Sequence, residues 1–373
     1  MENIIILCPS HDINDKRINR ITKVLSRRYN TKSFYEESWR LNNIEGKKNI
    51  FYLKSKLSYF RIKSILKNHN VSSQFSLYIH DPGFFGLILC WWWSKNNNIN
   101  SITFDYHDWL PWEISFHLRK LIKNKKLTML LSKLIYSFIK QFFNSLKIDN
   151  LIGISFEQLQ EFKKDFKLQN TRDLILPNTR KKILSKKLIN NREFNGILWV
   201  GNIMKGRDID ILNKYLKNFN QKNKEKYNLY LIGNIFDKDY FKSLESQDHI
   251  IYLNTFNNDS DILERIQNYN VAGFFYGWND IYSTGINKIA SPNKAHSYVN
   301  LGIPSIMGNH MTSLKSTFKK NRNSIFWIDG YLDFEKSINY IKLNYNSIIQ
   351  SFDIQTKWED ELELEISNFF LKN

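Results

Sequence analysis

The stretch that decides the fold is residues 291–306, SPNKAHSYVNLGIPSI. Its pattern predicts a helix of two to three turns that is followed directly by a strand. Ser291 suits an N-cap, and Pro292 suits the first helical position, where its missing N–H costs no hydrogen bond. Gly302 is typical of a helix end. A short helix with such defined ends, placed between strands, indicates an α/β fold.

The first turn of this helix predicts an anion site. Asn293 and Lys294 complete the turn, so backbone N–H groups, the positive end of the helix dipole and an ammonium group converge there. In open α/β sheets, ligands bind beyond the carboxyl ends of the strands, where this helix begins. Taken alone, the stretch also fits an ordinarily capped surface helix.

Outward from this stretch, strands alternate with helices along both halves of the chain. A polar segment without apolar periodicity interrupts the alternation, which restarts with GILWVGN at residues 196–202. The alternation predicts two parallel, doubly wound α/β domains. We expect an N-terminal Rossmann-like domain at 1–179, a linker at 180–195, a C-terminal Rossmann-like domain at 196–356 and a closing helix at 357–373.

The composition supports two cores and points to an anionic partner. The 373 residues are 42% hydrophobic, which is ample for two domains. The net charge is +18, and residues 1–178 hold 28 Lys/Arg against 15 Asp/Glu, whereas residues 179–373 hold 26 against 21. The excess in the first half indicates lipid headgroups, a phosphorylated acceptor or nucleic acid. Codon bias in an AT-rich genome is the other explanation of this basicity.

The two cysteines and the apolar runs limit the class of protein. Cys8 and Cys90 lie in apolar runs, so neither a disulfide framework nor a metal cluster is expected. The N-terminus, MENIIILCPS, lacks the positive charge of a secretory signal. The longest apolar run, GFFGLILCWWW at 83–93, is too short to cross a bilayer. We expect a cytoplasmic protein that is either soluble or peripheral at the membrane.

A second strand-to-helix turn, WVGNIMKGRDID at 199–210, has chemistry similar to the first. Gly201 and Gly206 allow close approach of the backbone to a ligand. Lys205 and Arg207 can reach a diphosphate, the arginine in a bidentate way. If both basic turns open off strands of one sheet, they can serve one site.

With these stretches in view, the chain resembles the two-domain GT-B glycosyltransferases, in particular bacterial enzymes of the GT4-like type. The resemblance spans nearly the whole chain and rests on DINDKRINRITKVLSRRYN, TFDYHDWLPWE, LILPNT, WVGNIMKGRDID, SPNKAHSYVNLGIPSI and TKWEDELELEI. It implies that the second domain binds a nucleotide sugar, UDP- or GDP-linked, and that the first binds the acceptor across a cleft. It also implies that the closing helix crosses back to pack on the first domain.

The resemblance also assigns the donor residues. The candidates are Gly201, Asn202, Lys205, Arg207, Ser291, Pro292, Asn293, Lys294 and Tyr298. Many relatives carry two glutamates separated by seven residues, the second of which holds the donor ribose; the corresponding positions here are Ile289 and Ser297. The PNK form with this change resembles bacterial transferases that use UDP-galactofuranose or UDP-glucose.

The first half supplies the candidate catalytic and acceptor residues. If the enzyme inverts, a carboxylate such as Asp108 is the expected base; if it retains, His107 is expected to hydrogen-bond donor or acceptor. Capping of the next loop is the alternative role for both. The acceptor-side candidates are His11, Asp12, Asp15 and Arg17, the last of which fits a loop-anchoring salt bridge equally well. No Asp-x-Asp motif stands in a suitable loop, so we expect neither a metal nor another cofactor.

The helical segment 127–147 and the preceding HLRKLIKNKKL combine an apolar stripe with lysines. The stripe fits either contact with an anionic membrane or a face of the core. The resulting prediction is a glycosyltransferase that transfers a sugar to a growing bacterial surface glycan, such as capsule or lipopolysaccharide, or to a lipid-linked acceptor. The alternatives are a nucleotide-sugar 2-epimerase of the same fold and a basic nucleic-acid-binding protein, although no nucleic-acid module is recognised.

Overall fold

Buried strands rich in isoleucine, leucine and phenylalanine form two parallel sheets, one in each of two structural units. Unit 1 comprises Met1–Pro177 with Asp360–Asn373, and unit 2 comprises Asn178–Glu359. The computed structural model describes residues 2–9, 16–36, 49–53, 55–62, 74–80, 83–95, 98–107, 110–144, 146–177, 193–277, 289–319, 321–352 and 359–371. The predictions for His11, Asp12, Asp15, Asp108 and most of the 180–195 linker lie outside these residues.

Unit 1 contains a seven-stranded parallel sheet. Its strands are β1 (Asn3–Cys8), β2 (Asn30–Glu36), β3 (Ile50–Leu53), β4 (Phe75–His80), β5 (Ile99–Tyr106), β6 (Asn150–Gly153) and β7 (Arg172–Ile175). The spatial order is β3-β2-β1-β4-β5-β6-β7. The chain therefore reverses the direction in which it adds strands between β1 and β4, and such a switch point is where open α/β sheets bind ligands.

Helices cover both faces of this sheet. They are α1 (Lys16–Ser26), α2 (Phe84–Ser94), α3 (Leu110–Leu121), α4 (Lys125–Phe142) and α5 (Phe156–Phe166), with a 3-10 helix at Lys56–Arg61. Alternate residues of β1 enter opposite cores: Ile4 and Ile6 lie in one apolar cluster, and Ile5 and Leu7 lie in the other. Burial on both sides explains why β1 is a continuous apolar run.

Unit 2 contains a six-stranded parallel sheet. Its strands are β8 (Phe194–Val200), β9 (Asn228–Ile232), β10 (Ile250–Tyr252), β11 (Asn270–Phe275), β12 (Ser305–Gly308) and β13 (Ile325–Ile328), in the order β10-β9-β8-β11-β12-β13. Its helices are α6 (Ile209–Asn223), α7 (Lys238–Glu245), α8 (Asp259–Ile266), α9 (Asn293–Leu301), α10 (Thr312–Thr317) and α11 (Tyr331–Gln350). The switch point of this sheet lies between β8 and β11.

The last helix, α12 (Glu359–Leu371), packs in unit 1. Its buried residues Leu362, Ile366 and Phe369 share an apolar cluster with Ile18 of α1. The hydroxyl of Tyr29 donates a 2.8 Å hydrogen bond to the carbonyl oxygen of Phe370. The predicted fold class, two parallel α/β sheets with a closing helix that returns to the first part of the chain, is thus confirmed.

Two further predictions concern the class of protein. Cys8 and Cys90 are free and buried. Among the described residues, none of the helices combines the length and the apolar character that spanning a bilayer requires.

Candidate functional site

Two glycines shape the loop that follows β8. Gly201 has φ +139° and donates its N–H to the carbonyl of Ile232 at 2.9 Å. A Cβ at Gly233, which has φ +151°, would lie 1.6 Å from the Gly201 carbonyl oxygen. The ends of β8 and β9 therefore touch at a place that only glycine permits.

Lys294, in the first turn of α9, meets this loop. Its Nζ lies 3.8 Å from the centroid of the Trp199 ring and 3.5 Å from Asp208 Oδ1, and its side chain is 14% exposed. A Cβ on Gly201 would lie 3.6 Å from Nζ, so the glycine keeps the space beside the ammonium group open. The first turn of α9 and the turn after β8 thus come together, as the sequence predicted.

The partner of this lysine, Asp208, was missed in the sequence. It is buried, and its oxygens accept hydrogen bonds from Trp199 Nε1 at 2.7 Å and from the backbone N–H of Tyr276 at 2.8 Å. Asp208 ties the ends of β8 and β11 together at the switch point. In the sequence, Asp208 is visible only as an aspartate directly before a helix, which is the usual pattern of an N-cap. In the structure its side chain makes no capping hydrogen bond.

Burial is the main influence on the protonation of Lys294. It lowers the pKa of the ammonium group to about 8, while the charge of Asp208 opposes this effect and the charge of Arg207 adds to it. Near neutral pH the side chain remains mostly protonated. The Lys294 ammonium is only partly neutralised by Asp208, and it lies at the carboxyl ends of β8 and β11. A charge of this kind attracts an anionic ligand.

The start of α9 differs from the prediction by one residue. Pro292 occupies the N-cap, with φ −68° and ψ 142°, and the helix begins at Asn293. Ser291 therefore lies one residue before the N-cap, and its hydroxyl is 2.7 Å from Nε2 of His296. Serine at this position is predicted as the N-cap because serine is common there. In the structure its hydroxyl hydrogen-bonds to the buried imidazole of His296. Gly302 ends the helix in the left-handed conformation, as predicted.

Tyr298, a predicted donor residue, lies in the interior of unit 2. Its hydroxyl accepts from the N–H of Val200 at 3.0 Å and donates to the carbonyl of Phe274 at 3.1 Å. Its ring takes the space of a side chain at Gly273, where a Cβ would lie 2.4 Å from the ring. Tyr298 therefore positions α9 on β8 and β11, and a direct contact with a ligand does not fit this geometry.

The other donor candidates lie between β8 and α6. Asn202 and Lys205 are exposed, and Arg207 is half-buried. Gly206 has φ +87° and open space around it. Together with Lys294, this loop gives the switch point three basic side chains.

Ser297, the position at which the sequence resemblance implies a ribose-binding glutamate, bonds to a buried carboxylate. Its hydroxyl donates to Asp259 Oδ1 at 2.8 Å, and Nδ2 of Asn300 donates to Oδ2 at 2.8 Å. All three side chains are buried. The second domain thus has a carboxylate next to this position, although α8 rather than α9 supplies it.

Unit 1 has a polar cluster at its own switch point. Asp105, near the end of β5, is buried and accepts hydrogen bonds from Arg17 Nε at 2.9 Å and Arg17 Nη2 at 2.7 Å. It also accepts from the Tyr78 hydroxyl at 2.6 Å and from Nδ1 of His80 at 2.8 Å. Arg17 further donates to the carbonyl of Leu176 at 2.5 Å. Of the two roles that the sequence left open for Arg17, the salt bridge is the one observed.

The charges of this cluster favour an ionised carboxylate. Burial works against ionisation of Asp105, but the charge of Arg17 and the hydrogen bonds from Arg17 and His80 hold its pKa well below the usual range. The buried phenol of Tyr78, beside this carboxylate, has a raised pKa. Asp105 therefore remains a carboxylate and a hydrogen-bond acceptor throughout the physiological range.

His107, a predicted catalytic residue, borders this cluster. Its ring stacks on the His80 ring at 4.6 Å between centroids, and it is half-buried. Ligand atoms of His80, Asp105 and His107 lie within 4.8 Å of one another. The guanidinium of Arg17 already neutralises Asp105 at this place, so the group fits a metal cation poorly.

Neither a protein-family profile nor a curated protein sequence matches this chain. Solved structures do match. The lipopolysaccharide outer core galactosyltransferase WaaB is 13% identical over 99% of both chains, with a TM-score of 0.61. The chain shares the fold of GT-B glycosyltransferases.

Two further structures support the same fold. An alpha,alpha-trehalose-phosphate synthase (UDP-forming) from Burkholderia xenovorans, in complex with glucose-6-phosphate, is 10% identical over 100% of this chain and 99% of its own, with a TM-score of 0.59. WaaG, a glycosyltransferase involved in lipopolysaccharide biosynthesis, is 10% identical over 98% of this chain and 95% of its own, with a TM-score of 0.56. Since these identities are low, the likeness extends to the fold and not to individual residues.

Proposed function

We propose that this protein is a glycosyltransferase that moves a sugar from a nucleotide-sugar donor, UDP- or GDP-linked, to a growing bacterial surface glycan or a lipid-linked acceptor. The observation that carries the proposal is the position of Lys294, beside Gly201 at the switch point of unit 2. The fold likeness supports it, since the neighbours include a galactosyltransferase and a UDP-forming synthase.

In this proposal unit 2 binds the donor. The diphosphate contacts the first turn of α9 and the loop after β8, where Lys294, Lys205 and Arg207 supply positive charge. As the bond from the anomeric carbon to the diphosphate oxygen breaks, negative charge grows on the leaving group. Cations that are already in place stabilise that charge without reorganisation, and no metal ion is needed for this step.

Unit 1 binds the acceptor in this proposal. His107 and the following Asp108 are the candidates for contact with the acceptor hydroxyl, whose oxygen bonds to the anomeric carbon as the bond to the diphosphate oxygen breaks. The hydroxyl proton passes to the Asp108 carboxylate if the enzyme inverts, or to the departing diphosphate if it retains. The salt bridge between Arg17 and Asp105 holds β5, which ends directly before His107, so we assign Arg17 a positioning role. We further propose that the protein works at the cytoplasmic face of the membrane, where a lipid-linked acceptor is accessible.

The first test is a thermal-shift panel of UDP, GDP, ADP, dTDP and CMP on the full chain. We expect one nucleoside diphosphate to raise the melting temperature. Lys294→Met keeps the length of the buried side chain. It should lower the affinity for that nucleotide about tenfold or more, because it removes a charged contact with the phosphate. Lys205→Ala and Arg207→Ala should weaken it as well, and the exposed Lys205 can be replaced without disturbing the core.

Lys226→Ala is the matched control. This exposed lysine precedes β9, at the opposite end of the same sheet, so its loss should leave the nucleotide shift unchanged. If no nucleotide raises the melting temperature, or if the control weakens binding as much as Lys294→Met, the donor-site proposal fails. Incubation of the responding nucleotide sugar without an acceptor then tests the chemistry: an epimerised sugar with released nucleotide would identify an epimerase instead.

A further inference from the structure

The long helix α4 turns large apolar side chains toward solvent. The sequence left open whether its stripe is part of the core, and the structure shows that much of it is not. On this helix Leu130 is 56% exposed and Phe138 is 68% exposed. The side with Thr128, Ser132 and Ile139 is the buried one. The exposed set, called the apolar face below, comprises Leu127, Leu130, Leu134, Ile135, Phe138 and Phe142.

The apolar face meets α2 at Phe142, and unit 1 has further exposed apolar side chains. The ring of Phe142 lies 5.7 Å from the ring of Trp91 in α2, and the next residue, Trp92, is exposed. Leu121, just before α4, is 83% exposed. Tryptophan beside exposed leucine and phenylalanine is typical of surfaces that enter the headgroup region of a bilayer. An apolar surface of this extent on a folded domain indicates a binding partner.

Lysines line the same region. Lys126 and Lys133 are exposed and stand seven residues apart, which places them along one edge of α4. Lys123 is exposed just before the helix. Over residues 110–148 the sequence has eight Lys/Arg and a single acidic residue, Glu113. The partner of this region must therefore accept apolar side chains and carry negative charge.

We propose that the apolar face and its lysines dock the protein onto a bilayer that contains anionic lipids. Apolar residues would enter the acyl boundary while the lysines meet lipid phosphates, as in helices that lie in a membrane interface. A second copy of the chain is disfavoured as the occupant, because a two-fold contact would bring the lysines of both copies together. The inference gives the proposed membrane location a defined surface, and it can be tested without a nucleotide.

The test is sedimentation of the full chain with vesicles. Vesicles of phosphatidylcholine with about 30% phosphatidylglycerol are compared with pure phosphatidylcholine, and we expect at least about tenfold tighter binding to the former. Leu134→Gln/Phe138→Gln should weaken binding at least about tenfold through the lost apolar contact. Lys126→Gln/Lys133→Gln should weaken it about tenfold and remove most of its dependence on salt.

Matched controls come from unit 2, which also exposes apolar residues and lysines. Leu343→Gln/Phe236→Gln and Lys214→Gln/Lys226→Gln also replace exposed side chains and should leave vesicle binding unchanged. Equal binding to both vesicle types, or binding that the α4 variants do not weaken, would overturn the proposal. A dimer in sedimentation velocity that Leu134→Gln/Phe138→Gln dissolves would assign the face to a second copy.

The nucleotide thermal shift is measured on the same variants. Since the α4 substitutions lie in unit 1 and on the surface, they should leave the shift intact. Vesicle binding without any nucleotide shift would refute the donor site and keep the docking surface. A nucleotide shift without vesicle binding would refute the docking surface and keep the donor site.

Discussion

Each unit places a buried aspartate and a cation near the switch point of its sheet, but the two pairs are bonded differently. In unit 1, Arg17 directs Nε and Nη2 at Asp105 and Nη1 at a backbone carbonyl. In unit 2, Lys294 has one 3.5 Å contact with Asp208. The two cations are similarly buried, at 12% and 14% exposed. Burial alone therefore does not separate a structural cation from one that can bind a ligand.

The number of hydrogen bonds does separate them. A guanidinium held by short bonds in a fixed fork has little left to offer a substrate. The Lys294 ammonium, with one long carboxylate contact and aromatic rings beside it, keeps most of its hydrogen-bonding capacity for a phosphate. From this comparison we propose a structural role for the pair in unit 1 and ligand binding for the pair in unit 2, and the following experiments probe that proposal.

The largest effect is expected for Asp105→Asn. It leaves the buried guanidinium of Arg17 without its counter-ion, so unfolding of unit 1 should become easier by about 3–5 kcal/mol. Urea denaturation followed by tryptophan fluorescence measures the change. Asp173→Asn is the control, since its 2.7 Å pair with Lys163 is near the surface and should cost less than about 1 kcal/mol. Equal losses in the two variants would remove the structural role of the unit 1 pair.

Next in size is Gly233→Ala in unit 2. The new Cβ would collide with the carbonyl of Gly201, which should cost about 1–3 kcal/mol beyond the strain of its positive φ. Gly206→Ala is the control: Gly206 also has a positive φ, +87°, but open space around it, so only backbone strain should follow, about 1–2 kcal/mol. Chemical denaturation ranks the two. If Gly206→Ala lowered the free energy of unfolding more than Gly233→Ala does, the close contact between Gly233 and the Gly201 carbonyl would not be what holds the loop after β8.

Tyr298→Phe sharpens the distinction between a positioning residue and a ligand contact. Removal of the hydroxyl leaves the buried N–H of Val200 without this acceptor, so stability should fall by about 1–3 kcal/mol. Nucleotide affinity, measured by calorimetry below the melting range, should stay within about twofold. Tyr240→Phe, which loses an exposed bond to Asp210, is the control and should cost less. A large loss of nucleotide affinity with little loss of stability would indicate that Tyr298 contacts the donor directly.

The smallest expected effect is on pH dependence: stability should rise with pH while nucleotide affinity falls. The pKa of Lys294 falls from 10.5 in the unfolded chain to about 8 in the fold, so above pH 8 the unfolded chain holds the extra proton. Stability should therefore rise with pH, by about 0.8 kcal/mol between about pH 7 and about pH 8.5. Nucleotide affinity should fall over the same range as the charge is lost. Lys294→Met should abolish both trends, and a trend that survives in this variant belongs to another group.

The sequence predicted what is local and left open what is distant. The presence of α9, its glycine end and the glycine turn after β8 follow from residues within a few positions of each other. Asp105 was passed over in favour of His107 and Asp108, because its partner Arg17 lies 88 residues away. Asp208 was missed because its bonds to Trp199 and Tyr276 form only when β8 and β11 are side by side.

The stripe of α4 shows a different limit. A periodic row of leucine and phenylalanine has the same pattern whether it faces a core or a membrane, so periodicity could not decide between the two. Exposure shows that these side chains do not face the core, and exposure depends on which other elements reach the helix. Membrane docking is our proposal for them. The catalytic roles of His107 and Asp108 remain predictions for the same reason, since they depend on an acceptor that the sequence does not specify.

The position of α12 has a consequence for biosynthesis. Unit 2 is one continuous segment, Asn178–Glu359, whereas unit 1 needs residues from both ends of the chain. A ribosome therefore delivers every residue of unit 2 before it delivers Leu362 and Ile366, which complete the core around α1. Domains usually mature in the order of synthesis. Here the first domain to be made is the last to be finished, and a nascent chain stalled before α12 would expose an unfilled hydrophobic face to chaperones and proteases.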